Sequence, residues 1–350
     1  MGRRVTLKQV AANAGVSYQT VSKVLNKQIK VTKETEQRIL DSVQALGYRP
    51  NILARSLRSQ RSHLIGYSWA PTPPGQVNPI LDQFLQSMVQ AAENAGYHLL
   101  TFPYRAGDQV IDAYKDLIET NRVDAFVLSS VEFDDPRIQY LRQVNFPFVA
   151  FGRSNSDWDI PFVDIDGGAG MQMVVGHLVE QGHKRIAALV WPTTSRVGQN
   201  RMEGLQLGLQ RAGIQILPQF IAEGEGVYTF GYQATARWLE QPGERPTAII
   251  AFNDAMAIGA MHAILDHGLQ VGGDIAVTGF DDTPMIQYLT PPLTSVRQPI
   301  WEVGQSVMAM MLERLNAGEA DTARESHPHL LITPRLIVRA SSTGWTGEET

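Results

Sequence analysis

The feature that most constrains this chain is an alternation it keeps from residue 62 to about 340. Short apolar runs at 64–67, 97–102, 125–128, 146–151, 185–190, 248–252 and 275–280 have the length of strands rather than helices. Amphipathic stretches at 80–95, 171–181, 201–212 and 256–267 lie between them. Strand, helix, strand closes as a right-handed parallel crossover, so the pattern predicts an α/β body of doubly wound parallel sheets. Such sheets bind ligands outside the C-terminal ends of their strands. Polar residues stand at those ends here: Gly152-Arg153, Asn253-Asp254 and Asp281-Asp282, with Arg201 opening a helix after the loop that follows Val190. Brought together, they can hydrogen-bond a hydroxyl-rich ligand. Asp254 reads better as a helix N-cap than as a ligand contact, whereas Asp281 does not.

The first 61 residues have a different character. They hold 12 lysines and arginines against three acids, a charge of +9, while the whole chain stands at −5 and the remainder at −14. A basic module on an acidic body is the electrostatic footprint of a DNA-binding head, although a basic solvated face has the same composition. Residues 1–48 read as three short helices. Thr6 and Gln9 form a capping box, and Leu7, Val10, Ala11 and Ala14 follow at helical spacing up to Gly15. Ser17 can cap a second helix from Tyr18 to Leu25, with Val21, Val24 and Leu25 inward. Thr32 starts a third, with Ile39, Val43 and Leu46 inward and Gly47 as its stop. Helix, short turn, helix is the helix-turn-helix pattern, whose second helix enters the major groove by its N-terminal residues. Those are Ser17, Tyr18, Gln19 and Ser22 here. A glutamine pairs bidentately with adenine, and hydroxyls serve bases or phosphates. The same residues would also suit an ordinary exposed helix face, and Tyr18 could pack on its neighbour.

Several function classes drop out. The chain has no cysteine, which excludes disulfides, thiol nucleophiles and cysteine-ligated metal sites. No apolar run approaches the roughly 18–20 residues of a membrane span, and no apolar stretch follows the basic N-terminus, so a cytoplasmic location is expected. Gly168-Ala169-Gly170 lacks the third glycine of a dinucleotide fingerprint, and no phosphate-binding loop motif occurs. His327-Pro328-His329 is a poor metal candidate, and no nucleophile–base order stands out. The expectation is a protein that is not an enzyme and needs no cofactor.

Longer motifs carry a resemblance. The run from Val5-Thr6-Leu7 through Ala14-Gly15-Val16-Ser17 to Thr20-Val21-Ser22-Lys23-Val24-Leu25-Asn26 closely resembles the DNA-binding head of the lactose/galactose repressor (LacI/GalR) family. So does Gly47-Tyr48-Arg49-Pro50-Asn51 with Ala54-Arg55-Ser56-Leu57, and the likeness continues to about Gly344. The resemblance implies a ligand-gated transcriptional repressor on near-palindromic operator DNA. It assigns DNA contacts to Thr6, Ser17, Tyr18, Gln19, Thr20, Ser22, Asn26, Asn51, Ala54, Arg55 and Leu57. Residues 49–61 would be the hinge. Its helix is too short to be stable alone, folds with its twin on the operator and wedges Leu57 between base pairs, unless Leu57 is a plain linker residue. The body would be two periplasmic-binding-protein-like subdomains, 62–162 with 293–322 and 163–292 with 323–344. By motif position Arg201, Asn253 and Asp281 match effector-contacting residues, and Arg153 sits beside another. Trp69, Tyr228, Ile300 and Trp301 are candidates for the apolar wall. Relatives with galactoside effectors carry a carboxylate where Gly152 stands, which disfavours a lactose-type ligand. Sugars rank above purines as effector. No leucine heptads follow Arg339, so a homodimer is expected rather than a tetramer. The rival readings are a solute receptor, which leaves the basic head unexplained, and an α/β enzyme, which lacks a catalytic pair.

Overall fold

The computed structural model describes residues 5–25, 29–48, 61–69, 78–104, 107–317 and 326–344. The chain forms two compact units that divide at Ser62 and His63.

The first unit is a three-helix head: α1 (Leu7–Ala14), α2 (Tyr18–Leu25) and α3 (Lys33–Leu46). Each terminus is set locally. Gln9 Oε1 accepts the Thr6 N–H at 2.8 Å, Ser17 Oγ accepts the Thr20 N–H at 3.0 Å, and Thr32 Oγ1 accepts the Thr35 N–H at 3.3 Å. Gly15 (φ 66°) and Gly47 (φ 61°) close α1 and α3 in the left-handed region, where a side chain would be strained. Val10, Ala11, Ala14, Val21 and Ile39 make the small core.

The second unit contains two six-stranded sheets. In chain order its elements begin β1 (Leu64–Trp69), α4 (Pro79–Asn94), β2 (His98–Pro103), α5 (Asp112–Glu119), β3 (Ala125–Leu128), α6 (Pro136–Gln143), β4 (Phe148–Phe151) and β5 (Phe162–Ile165). Then come α7 (Gly167–Glu180), β6 (Ile186–Val190), α8 (Arg196–Ala212), β7 (Ile221–Glu223), α9 (Tyr228–Glu240), β8 (Ala248–Ala251), α10 (Asp254–Asp266) and β9 (Ala276–Asp281). The chain closes with β10 (Thr294–Arg297), α11 (Ile300–Ala317), β11 (His329–Ile332) and β12 (Arg335–Ile337). The sheet orders are β11-β5-β4-β3-β1-β2 and β12-β10-β9-β8-β6-β7, parallel throughout except for β10 with β12. The central strands β3, β6 and β8 are buried at every residue, as strands covered on both faces must be. Lobe one packs α4 and α11 on one side of its sheet, through Phe84, Met88, Val303 and Val307. On the other side lie α5 and α6, through Tyr114, Leu117, Ile138 and Leu141.

The chain crosses between lobes at Asp166, at Gln298-Pro299 and at Thr333-Pro334. These points differ from the expected subdomain boundaries at 162/163, 292/293 and 322/323. The whole of β5 and β11 belongs to the first sheet and all of β10 to the second, so the expected subdomain boundaries move to 165/166, 298/299 and 333/334. An apolar run announces a strand but carries no mark of the sheet that recruits it. Among the described residues no helix is long and apolar enough to cross a membrane.

Candidate functional site

In the body, the C-terminal strand ends of the two lobes meet. The central side chain is Arg201, one turn into α8 and 4% exposed. Its guanidinium lies 3.6 Å from the face of Phe280 and 4.7 Å from that of Trp191. It donates to the Phe252 carbonyl, and Nη2 stands 3.6 Å from Asp281 Oδ1. Asp281 and Asp282 close β9 in left-handed backbone, φ 114° and 51°, a conformation costly for residues with a Cβ and typical of functional turns. The turn sends the two carboxylates different ways. Asp281 accepts Gln298 Nε2 at 2.6 Å, in a crossover strand. Asp282 is ion-paired with Arg297 at 2.5 Å and Arg339 at 2.7 Å.

Two carboxylates share this pocket. Burial first, and the Asp281 charge second, push Asp254 up to about 7. Burial pushes Asp281 up to about 6, against the pull of Arg201. Asp254 is therefore not the helix cap that its position after a strand implied. Asn253 caps α10, accepting the Met256 N–H at 2.9 Å and donating to the Gly226 carbonyl at 2.8 Å. Asp254 instead accepts Ser295 Oγ at 2.6 Å and the Thr283 N–H at 2.7 Å, tying β9 to β10.

Lobe one contributes Arg153, whose Nε donates to Asp164 Oδ2 at 2.7 Å. Among the described residues, three buried donors around these strand ends lack an acceptor: Arg153 Nη2, Trp191 Nε1 and Arg201 Nε. Orphaned buried donors are costly and mark places where an outside acceptor completes the set.

Arg201 stands beside Asp281 and contacts the carbonyl of Phe252, the residue before Asn253, while Arg153 is paired with Asp164 in lobe one. Trp69 ends β1, half-buried, and Trp301 opens α11 at 43% exposure. Tyr228 points elsewhere: its hydroxyl is 2.9 Å from His262 Nδ1, two turns into α10 from Asn253. Sequence reasoning missed Trp191, although an aromatic immediately after β6 was a usable signal.

In the head, Ser17, Tyr18 and Gln19 form an exposed face at the start of α2, with Tyr18 47% exposed. Thr20 is half-buried and its hydroxyl is 2.8 Å from that of Ser17. Ser22 was expected on this face but is 7% exposed, turned into the core beside Val21, which corrects its assignment. Thr6 is exposed beside Gln9. Asn26, Asn51, Ala54, Arg55 and Leu57, and with them the hinge, lie outside the described residues.

Residues 6–51 match the model of bacterial regulatory proteins of the lacI family, and residues 175–342 match a periplasmic binding protein-like domain. The chain is 30% identical over 338 residues to the ribose operon repressor of Escherichia coli K12, covering 96% of this chain and 99% of the relative. It belongs to the lacI family of transcriptional regulators. The family member's fold resembles a lacI-family regulatory protein from Chloroflexus aggregans, with 49% identity, TM-score 0.75, and coverage of 81% of this chain and 99% of that one. It also resembles the lac repressor dimer bound to operator and the anti-inducer ONPF, with 29% identity, TM-score 0.81, and coverage of 97% and 100%. The lacI-type chain is thus a regulator, not an enzyme, built as a helix-turn-helix head and two parallel-sheet lobes.

Proposed function

We propose that this regulator represses transcription as a homodimer on near-palindromic operator DNA, and that a sugar bound between its lobes sets operator affinity. The observation that carries the effector class is the set of unsatisfied donors, Arg153 Nη2, Trp191 Nε1 and Arg201 Nε, together with the Asp281 carboxylate 3.6 Å from Arg201. Sugar hydroxyls accept from the former and donate to the latter, and an aromatic face such as that of Trp191 suits the C–H face of a pyranose or furanose ring. The exposed Ser17-Tyr18-Gln19 face of α2 and the +9 charge of residues 1–61 support readout in the major groove. The operator two-fold mirrors that of the dimer. A thermal-shift screen of pentoses, hexoses, disaccharides and nucleobases tests the effector class. A sugar at about 100 times its Kd adds roughly 2.7 kcal/mol. Arg201→Ala should abolish that shift and the effector response in a gel-shift while leaving operator binding. Full calorimetric binding of the sugar by this variant refutes the assignment, and a hit confined to nucleobases replaces the sugar.

A further inference from the structure

We propose that Glu132 is a positioning residue for the effector response: it latches lobe one to the first turn of the helix that carries Arg201. The role rests on the reading of the cleft as an effector site, but the latch is defined by contacts that need no ligand. Glu132 follows β3, in lobe one. Its Oε2 accepts the Arg196 N–H at 2.6 Å, and Ser195 Oγ stands 3.4 Å from Oε1. Both partners belong to lobe two, at the start of α8. Arg196 reaches back the other way: Nε donates to the Ser154 carbonyl at 3.2 Å, and the guanidinium lies 5.4 Å from the centre of the Phe133 ring.

An exposed side-chain ion pair would mean little, because ordering two long side chains consumes most of its gain. This contact differs in two ways. The donor is a backbone N–H in the first turn of a 17-residue helix, which has no intrahelical partner and sits at the positive end of the helix dipole. The acceptor loop is already rigid. Arg137, 2% exposed, pins it by donating to the Ser129 carbonyl at 3.1 Å, the Ser130 carbonyl at 3.0 Å and Asp135 at 2.6 Å. Ser154 Oγ holds the Glu132 carbonyl at 2.8 Å. Little freedom remains to be lost when the lobes meet.

Arg196 and Arg201 lie five residues apart on one helix, about 7.5 Å along its axis. A ligand that engages Arg201 therefore acts on the same rigid element that Glu132 grips, and the coupling between the two must be reciprocal. The latch favours the closed lobes, so a ligand enclosed between them binds tighter while it is intact.

The test uses the ligand-free full-length chain. Because it has no cysteine, Gln143→Cys and Gln210→Cys, at exposed positions in the two lobes, accept one spin label each. Pulsed electron paramagnetic resonance then reads the interlobe distance. Glu132→Gln should broaden the distribution toward longer distances, and Glu132→Asp, which keeps the charge, should recover part of the parent's. Hydrogen exchange of the Arg196 amide should quicken about tenfold in Glu132→Gln, the factor that 1.4 kcal/mol represents. An unchanged distance distribution and unchanged exchange overturn the latch, and an unaltered thermal midpoint of the variant rules out a folding defect as the cause. No sugar binding in the screen above, with the spin-label response intact, removes the effector reading and leaves the latch. Sugar binding with no spin-label response does the opposite.

Discussion

Replacing Asp254 with asparagine should reverse part of the pH dependence of stability. Asp254 is 2% exposed. Its Oδ1 accepts the Ser295 hydroxyl, and its Oδ2 accepts both the Thr283 N–H and the Thr283 hydroxyl. Those donors favour the ionised form, but burial and the neighbouring Asp281 outweigh them and hold the group at about 7 against an ordinary 3.8. Below pH 4 the folded and unfolded chains are both protonated at this site and no penalty exists. Between pH 4 and 7 the unfolded chain releases the proton while the folded chain keeps it, so stability falls as pH rises. Above 7 the penalty is complete, on the order of a few kcal/mol. His183 works in the opposite sense. Burial pushes it down to about 4, so its contribution is lost as pH falls from 6.5. Asp254→Asn keeps His183 but removes the carboxylate. The variant should be about 1 kcal/mol less stable than the parent at pH 4.5, because the side-chain amide keeps one acceptor oxygen and leaves either the Ser295 or the Thr283 donors without theirs. Relative to the parent it should then gain stability as pH rises to 8.5, on the order of a few kcal/mol. Urea midpoints at half-unit pH steps, converted through the slope m, measure this difference. A difference independent of pH would mean that burial does not raise the Asp254 carboxyl.

Three further substitutions probe the head and the body. Gln19→Ala should relax operator preference by roughly 1–3 kcal/mol at one base position while non-specific binding persists, as gel-shifts against operator variants will read. Ser22→Ala, at a buried position, should change head stability rather than sequence preference. Gly204→Ala should destabilise the body, because a Cβ there would lie 2.2 Å from the Gly168 carbonyl oxygen where α7 and α8 touch backbone to backbone. Overpacking of this kind costs about 1–3 kcal/mol or more, a fall of several degrees in thermal midpoint; an unchanged midpoint would show that the helices separate freely.

The local elements were legible in the residues alone. Thr6, Ser17 and Thr32 each act within three residues of themselves, so the three head helices followed from capping and turn chemistry without any knowledge of the fold. Seven of the twelve described body strands followed from apolar runs, whereas β5, β7, β10, β11 and β12, short and mostly at the sheet margins, did not announce themselves. The long motifs around Gly15 and Gly47 carried the family. Tertiary structure decided everything that depends on distant partners. It assigned 162–165 and 329–332 to one sheet and 294–297 to the other, a choice that hydrogen bonding between strands makes and side-chain pattern does not record. It gave the helix cap to Asn253 and made Asp254 a tie between strands, because Ser295, 41 residues away, supplies the donor. It turned Tyr228 toward His262 and Ser22 into the head. It also joined Glu132 to Arg196 across 64 residues. Caps and periodicity are short-range and repeat within a turn or a strand. The surroundings of Arg201 are single residues from separate strand ends, Trp191, Phe252 and Asp281, and only the folded chain brings them within reach of one another.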